Sequence, residues 1–308
     1  MQGPYRIAIV GVGKIACDQH VPALRATPEF DLVATASRHG SIDGVPAYPD
    51  LAALLADVEV DAVSICTPPA HRREIVTAAL AAGVHVMLEK PPAVDLATVD
   101  SMAAAARAAG RVLFTTWHSR EAGAVEPARR WLQGRKVRRA HIEWRENIRQ
   151  WHPGQDWILA ADGFGVFDPG INALSIATAI LPGPFEFARA RLEIPENRAA
   201  PLAADLTFSC GEVPVVAAFD FLHEGEPCWD IRVETDDGTV MLRRGGQELH
   251  LPGDSVSFEN REYPRLYDRF ATLVGDAQSD VDVAPLDLAL KAQRLGIVSA
   301  SARFEWDG

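Results

Sequence analysis

The sequence predicts an α/β protein: an N-terminal doubly wound parallel sheet, then an α+β domain with a largely antiparallel sheet. Three observations predict it. Apolar strand-like runs alternate with alanine-rich helical stretches over the first third of the chain. Those runs lack the in/out alternation of a half-exposed sheet, as strands covered on both faces do. Beyond Arg120, strands follow one another with hairpin turns between them. A chain of 308 residues has room for two cores. The expected domains are 1–120 and 121–308, with the crossing at residues 117–122.

The strands of the first domain are read at Ile7–Val10, Leu32–Ala36, Ala62–Cys66, His85–Leu88 and Val112–Thr115. Helices are read at Ile15–Ala26, Asp50–Leu55, Arg72–Ala82 and Leu96–Ala109, with Gly83 and Gly110 placed as stops. The second domain begins with an amphipathic helix, Ala124–Leu132, and a strand, Val137–Glu146. A loop rich in Trp, Gly and Asp leads to a helix at Ile171–Leu181. Strands follow at Phe185–Ile194, Ala204–Ser209, Val213–Leu222, Trp229–Thr235, Thr239–Arg243 and Glu248–Leu251. Asp236-Asp237-Gly238 and Arg244-Gly245-Gly246 supply turns. The tail returns to helix at Pro264–Val274 and Leu286–Ser301.

A net charge of −12 argues against nucleic-acid binding, which needs a basic surface. No apolar run approaches the ~20 residues of a membrane span, and no basic-then-apolar leader is evident. A cytoplasmic location is the expectation. Cys17, Cys66, Cys210 and Cys228 are scattered without a Cys-x-x-Cys pair and read as reduced thiols, so no metal is expected.

The most informative segment is Ile7-Ala8-Ile9-Val10-Gly11-Val12-Gly13-Lys14-Ile15-Ala16, a β-branched run breaking into Gly-x-Gly-x-x-Ala. Gly11 permits the tight turn, Gly13 lets a pyrophosphate approach the backbone, and Ala16 lets helix and strand pack closely. The helix start then offers N–H groups and a positive dipole end to the anion. A glycine turn without a ligand is the alternative. At the end of the second strand the chain reads Ala36-Ser37-Arg38-His39, where an acidic residue would select NAD. Ser37 and the Arg38 guanidinium suit a 2′-phosphate, so NADP is preferred, with NAD also accepted. Asp43 nearby weakens the preference, and a solvated Arg38 is the bland alternative.

With Cys66-Thr67-Pro68-Pro69 and Glu89-Lys90-Pro91 at later strand ends, the chain resembles the glucose–fructose oxidoreductase / inositol dehydrogenase / MocA family over essentially its whole length. Within it, Thr116–Arg120, Trp151–Gln155 and Gly165–Leu174 resemble the bacterial aldose 1-dehydrogenases acting on L-arabinose and D-galactose. The resemblance implies a Rossmann domain and NAD(P)-dependent oxidation of a sugar at its anomeric carbon, giving an aldonolactone. It implies cofactor contacts from Gly11, Gly13, Lys14, Ile15, Ser37, Arg38, Cys66, Thr67, Pro68, Glu89 and Lys90.

Removing a hydride from C1 needs a base for the C1 hydroxyl and a carbon held against the nicotinamide. Lys90 and Asp168 are the catalytic candidates. Asp168 is read as the N-cap of the Ile171–Leu181 helix, with Asn172 in its first turn. Many family members carry histidine four residues after this aspartate, as the usual proton acceptor. This chain has Asn172, and an amide cannot act as a base. The role then moves to Asp168, Lys90 or another group. Asp168 is favoured as acceptor, with Lys90 holding the hydroxyl and the two coupled. Asn172, His118, Glu146, Trp151 and His152 are the substrate-binding candidates. His20 reads as a packing or cap residue, and Trp144 and Trp229 as core or interface residues. The alternatives are a dehydrogenase for D-xylose or D-glucose, and a non-enzymatic NADP(H)-sensing protein. The second-domain sheet is a candidate homodimer surface.

Overall fold

The computed structural model describes residues 3–306. Along the chain come β1 (Tyr5–Val10), a π-helical turn (Ala16–His20) running into α1 (Val21–Ala26), β2 (Phe30–Ala36), β3 (Ala47–Tyr48), α2 (Leu51–Asp57) and β4 (Ala62–Ile65). Then follow α3 (Arg72–Ala81), β5 (His85–Leu88), α4 (Leu96–Ala109), β6 (Leu113–Thr115), α5 (Val125–Leu132), β7 (Val137–Arg145), α6 (Ile148–Trp151) and α7 (Phe167–Ile180). The strands β8 (Phe185–Pro195), β9 (Ala203–Cys210), β10 (Val213–Asp220), β11 (Cys228–Thr235), β12 (Gly238–Arg243), β13 (Glu248–Leu251) and β14 (Asp254–Ser257) come next. The chain closes with α8 (Glu262–Gly275), α9 (Ala284–Leu295) and β15 (Ile297–Ser301). No helix among the described residues is long and apolar enough to cross a membrane.

Two compact units result. One contains the chain up to His118 together with Arg261–Val283; the other contains Ser119–Asn260 and the chain from Ala284 onward. The expected second domain, 121–308, differs from this division in the segment that carries α8. The reason is the aromatic face of that helix. Phe270 stacks on Phe30 with ring centroids 5.6 Å apart, and Tyr267 meets Phe30 at 5.7 Å. Tyr263, Leu266, Tyr267, Phe270 and Val274 recur at helical spacing and complete the core around Ile7, Ile9 and Phe114.

The first unit is a six-stranded sheet in the order β3-β2-β1-β4-β5-β6, parallel throughout. Strand order reverses beside β1, which opens a crevice beyond its carboxyl end. The expected single helix Ile15–Ala26 is interrupted. Pro22 has no N–H and its ring crowds the preceding turn, and the chain widens into the π turn just before it.

The second unit is a nine-stranded sheet in the order β14-β13-β12-β11-β7-β10-β9-β8-β15. The pairs β7/β10 and β8/β15 are parallel and the others antiparallel. α7 lies on this sheet and is buried along most of its length. The expected helix Leu286–Ser301 is α9 followed by a strand. Gly296 ends the helix; a Cβ there would meet the Ala292 carbonyl at 2.5 Å. The β-branched Ile297-Val298 then pairs with β8.

Candidate active site

In the first unit, a cleft of about 450 Å³ opens at the carboxyl ends of β1, β2 and β4, and Gly11, Gly13, Ser37, Arg38, Cys66, Thr67 and Pro68 all line it. Gly11 has φ +93°, and a Cβ on it would stand 2.8 Å from the Thr67 amide nitrogen, so only glycine lets the two loops meet. A Cβ on Gly13 would face open space. Thr67 Oγ1 is buried without a partner among the described residues. A buried hydroxyl lacking a partner costs about 1–3 kcal/mol, which a ligand on the cleft wall would relieve. Arg38 is exposed at the rim. Asp50 shares the cleft, but its carboxylate caps α2 by accepting the Ala53 N–H at 2.8 Å. These residues fit a dinucleotide. Lys14 and Ile15 lie outside the cleft walls; Lys14 is exposed and paired with Asp18.

Lys90 follows β5, half-buried, with a cis bond to Pro91. Its amide N–H donates to Glu89 Oε2 at 2.9 Å. Glu89, expected at the dinucleotide, is buried with its carboxylate turned toward His20 and Tyr263. Its Oε1 accepts from the Tyr263 hydroxyl at 2.8 Å and lies 3.0 Å from His20 Nε2. His20 Nδ1 is 2.7 Å from the Tyr267 hydroxyl, which is 2.9 Å from Ser64 Oγ. Arg72 closes the other side, bonding the Glu89 and Pro91 carbonyls. Burial alone would raise Glu89, but the hydrogen bond and charge of His20 outweigh it and hold the carboxyl below its ordinary range. Burial pushes His20 down, yet its contacts with Cys66, Tyr267 and Glu89 carry it well above its ordinary value. The two form a buried ion pair. His20 thus holds the N-cap position of α1 without a side-chain cap bond, packs edge-on against Tyr263 and Tyr267, and adds a buried charge to both readings.

His118 stands three residues beyond β6, whose continuation runs beside β5 through the Thr116 N–H to the Leu88 carbonyl at 2.9 Å. Its Nδ1 lies 2.6 Å from Glu262 Oε2, and its ring stacks on Tyr263 with centroids 5.3 Å apart. One turn of α8 thus orients the imidazole of His118 and, through Glu89, the backbone of Lys90.

In the second unit, α7 starts earlier than expected, because Pro169 is tolerated in a first turn whose N–H groups have no helical partner. Val166 is the N-cap position, so Asp168 is not a cap. It lies in the first turn, 5% exposed, with Asn172 one turn further on. Asn172 Oδ1 is buried with no hydrogen-bond partner among the described residues. α7 lies close on the sheet at Gly170, where a Cβ would strike the Phe219 ring at 2.5 Å.

Phe219 is the register partner of Trp144, and Glu146 lies two residues beyond Trp144 at the same end of the sheet. Glu146 is buried, with Oε1 3.1 Å from His152 Nε2 and Oε2 accepting the Trp229 indole N–H at 2.8 Å. That commitment leaves His152 Nδ1 as the ring nitrogen for a ligand. Trp151 is exposed and meets Trp229 edge-on at 5.2 Å. Arg149 ties this segment to the tail, donating to the Glu305 carbonyl at 2.7 Å and lying 4.6 Å over the Phe304 ring.

The structure thus gathers Lys90, Glu89 and His118 in one unit, and Asp168, Asn172, Glu146, Trp151 and His152 in the other. Sequence reasoning missed His20, Glu262, Tyr263 and Trp229 as partners. The only signal for the first three was a histidine and an acidic-aromatic pair at the two ends of the chain, and nothing local linked them.

The model of an oxidoreductase family with an NAD-binding Rossmann fold, GFO/IDH/MocA, matches residues 5–116. A galactose 1-dehydrogenase from Pseudomonas fluorescens is 42% identical over 292 residues, 92% of this chain and 93% of the relative. The crystal structure of a D-galactose-1-dehydrogenase from Rhizobium etli is similar at a TM-score of 0.96 and 47% identity, covering 99% of both chains. A 3-ketoreductase from Actinomadura kijaniata, crystallised with NADP and TDP-benzene, shares the fold at a TM-score of 0.84 and 20% identity, covering 97% of this chain and 100% of that one.

Proposed function

The chain belongs to the GFO/IDH/MocA oxidoreductase family, and from that premise we propose that it oxidises an aldopyranose, D-galactose or L-arabinose, at C1 to the aldonolactone. The likeness to galactose 1-dehydrogenases over nearly the whole chain carries this reading. The buried Asn172 amide oxygen, without a hydrogen-bond partner among the described residues, supports a polyhydroxylated ligand.

A bound nicotinamide dinucleotide supplies the hydride acceptor for C1. Asp168 takes the C1 hydroxyl proton as the C1–O bond becomes the lactone carbonyl, and Lys90 donates a hydrogen bond to that oxygen. Asn172 and His152 grip ring hydroxyls, His118 a further one, and Trp151 offers an aromatic face to the pyranose. Gly11, Gly13 and Thr67 form the phosphate side of the dinucleotide cleft. Ser37 and Arg38 favour NADP, since β2 ends without a carboxylate to repel a 2′-phosphate; NAD is also accepted. D-Galactose and L-arabinose differ by a hydroxymethyl group at C5, a difference that gives modest discrimination in a pocket open at that corner. The reading includes a cytoplasmic location and a homodimer, the homodimer supported by the exposed Leu295, Ile297 and Val298 around the edge strand β15.

Reduced-cofactor absorbance with D-galactose, L-arabinose, D-xylose and D-glucose, each with NADP and NAD, tests the reading. The expected order is galactose and arabinose far above xylose and glucose. Asp168→Ala and Lys90→Ala should each lower kcat by roughly 10²–10⁴-fold. Dinucleotide binding without turnover of any sugar would point to a sensor instead, and unchanged turnover in both variants would remove the catalytic assignment.

A further inference from the structure

His20 lies at the end of the π turn that continues directly from the glycine loop, and it is fully buried. Its ring is held between two groups, Tyr267 on Nδ1 at 2.7 Å and Glu89 on Nε2 at 3.0 Å. Glu89 in turn spends its second oxygen on the Lys90 amide. Buried ion pairs contribute little net stability, because desolvation offsets most of the attraction. A well-packed apolar pair could fill this core position as well. What an apolar pair could not do is present a carboxylate oxygen to the Lys90 N–H. The flanking Glu89 and Pro91 carbonyls are meanwhile fixed by Arg72. The backbone on both sides of the lysine is therefore tied down by charged, buried groups, and the residue itself is half-buried.

We propose that His20 is a positioning residue for the sugar oxidation: it anchors the Glu89 carboxylate that holds the Lys90 backbone, and so aims the Lys90 ammonium from the segment that also forms the phosphate loop. Tyr263 and Tyr267 hold the pair from α8, which gives that C-terminal helix a part in aligning the lysine. The inference rests on the role assigned to Lys90 above.

The test compares His20→Gln, His20→Asn and Lys90→Ala. The glutamine amide reaches to the position of Nε2 and can still donate to Glu89; the shorter asparagine amide cannot. His20→Asn should lower kcat by about 30-fold with the sugar KM changed less than about threefold, the signature of misaligned chemistry rather than lost binding. NADPH fluorescence titration should give a dinucleotide Kd within about threefold of the parent, and His20→Gln should recover most of the lost turnover. In the Lys90→Ala background, adding His20→Asn should cost less than about threefold, because a positioning effect has no lysine left to act on. Equal kcat for His20→Asn and the parent would overturn the proposal, as would equal losses for the glutamine and asparagine variants. A full further loss in the lysine-free background would do the same. Lys90→Ala with parental kcat overturns the lysine assignment itself, whatever the His20 variants do.

Discussion

His118 Nδ1 lies 2.6 Å from the Glu262 carboxylate, and the same imidazole stacks on Tyr263, the next residue of α8. A carboxylate on Nδ1 fixes which nitrogen of the ring faces outward. Glu262→Ala should leave the ring free to rotate and raise the sugar KM by roughly 5–30-fold, the equivalent of about 1–2 kcal/mol for a charge-assisted bond. Steady-state kinetics on D-galactose checks this; an unchanged KM would show that His118 does not meet the sugar.

The His20–Glu89 pair sets a pH dependence of stability. His20 is raised in the fold, so its contribution is fully present below its ordinary value of 6.5 and is lost as pH climbs through the folded value. Glu89 is lowered, so its contribution is present above its ordinary value of 4.5 and is lost as pH falls through the folded one. Urea unfolding should find the parent losing stability from pH 6.5 upward relative to His20→Gln, whose side chain does not titrate. Parallel curves for the two proteins would mean that His20 is not charged in the fold.

Arg38 stands at the rim of the dinucleotide cleft, beside Ser37 at the end of β2. A charge-assisted contact to a 2′-phosphate is worth about 1.5–3 kcal/mol. Arg38→Ala should therefore reduce kcat/KM for NADP by roughly 10–100-fold and leave NAD nearly unchanged. Equal losses with the two dinucleotides would place the guanidinium away from the 2′ position.

Asn172 presents an unusual trade. Its buried amide oxygen has no partner among the described residues, so the unliganded protein bears the cost of a desolvated acceptor. Asn172→Ala should hold or raise Tm while increasing the sugar KM about 10-fold or more. A fall in Tm with KM unchanged would make Asn172 a structural residue.

Much of this was legible along the chain. β1 and its glycines, the Cys66-Thr67-Pro68 loop and the Ser37-Arg38 pair are contiguous segments, and each lies where a strand-then-turn pattern places it. Sequence marks Glu89 as a strand end, but which way its carboxylate turns depends on His20 and Tyr263, 69 and 174 residues away. α7 starts before the expected cap at Asp168, since Pro169 is tolerated in its first turn. The helical pattern of Leu286–Ser301 stops at Gly296, and the β-branched Ile297-Val298 that follows pairs with β8 as β15.

Hydrophobic period and turn chemistry act over a few residues, so the sequence by itself determined the parallel sheet, the glycine cradle and the residue types available for catalysis. Return of α8 to the first unit, the inward turn of His20 and the Glu146–His152–Trp229 cluster were decided only by tertiary packing. Each joins groups with no local reason to meet, and burial makes their pairing obligatory once they do: a carboxylate out of water must find donors, and folding alone chooses which ones.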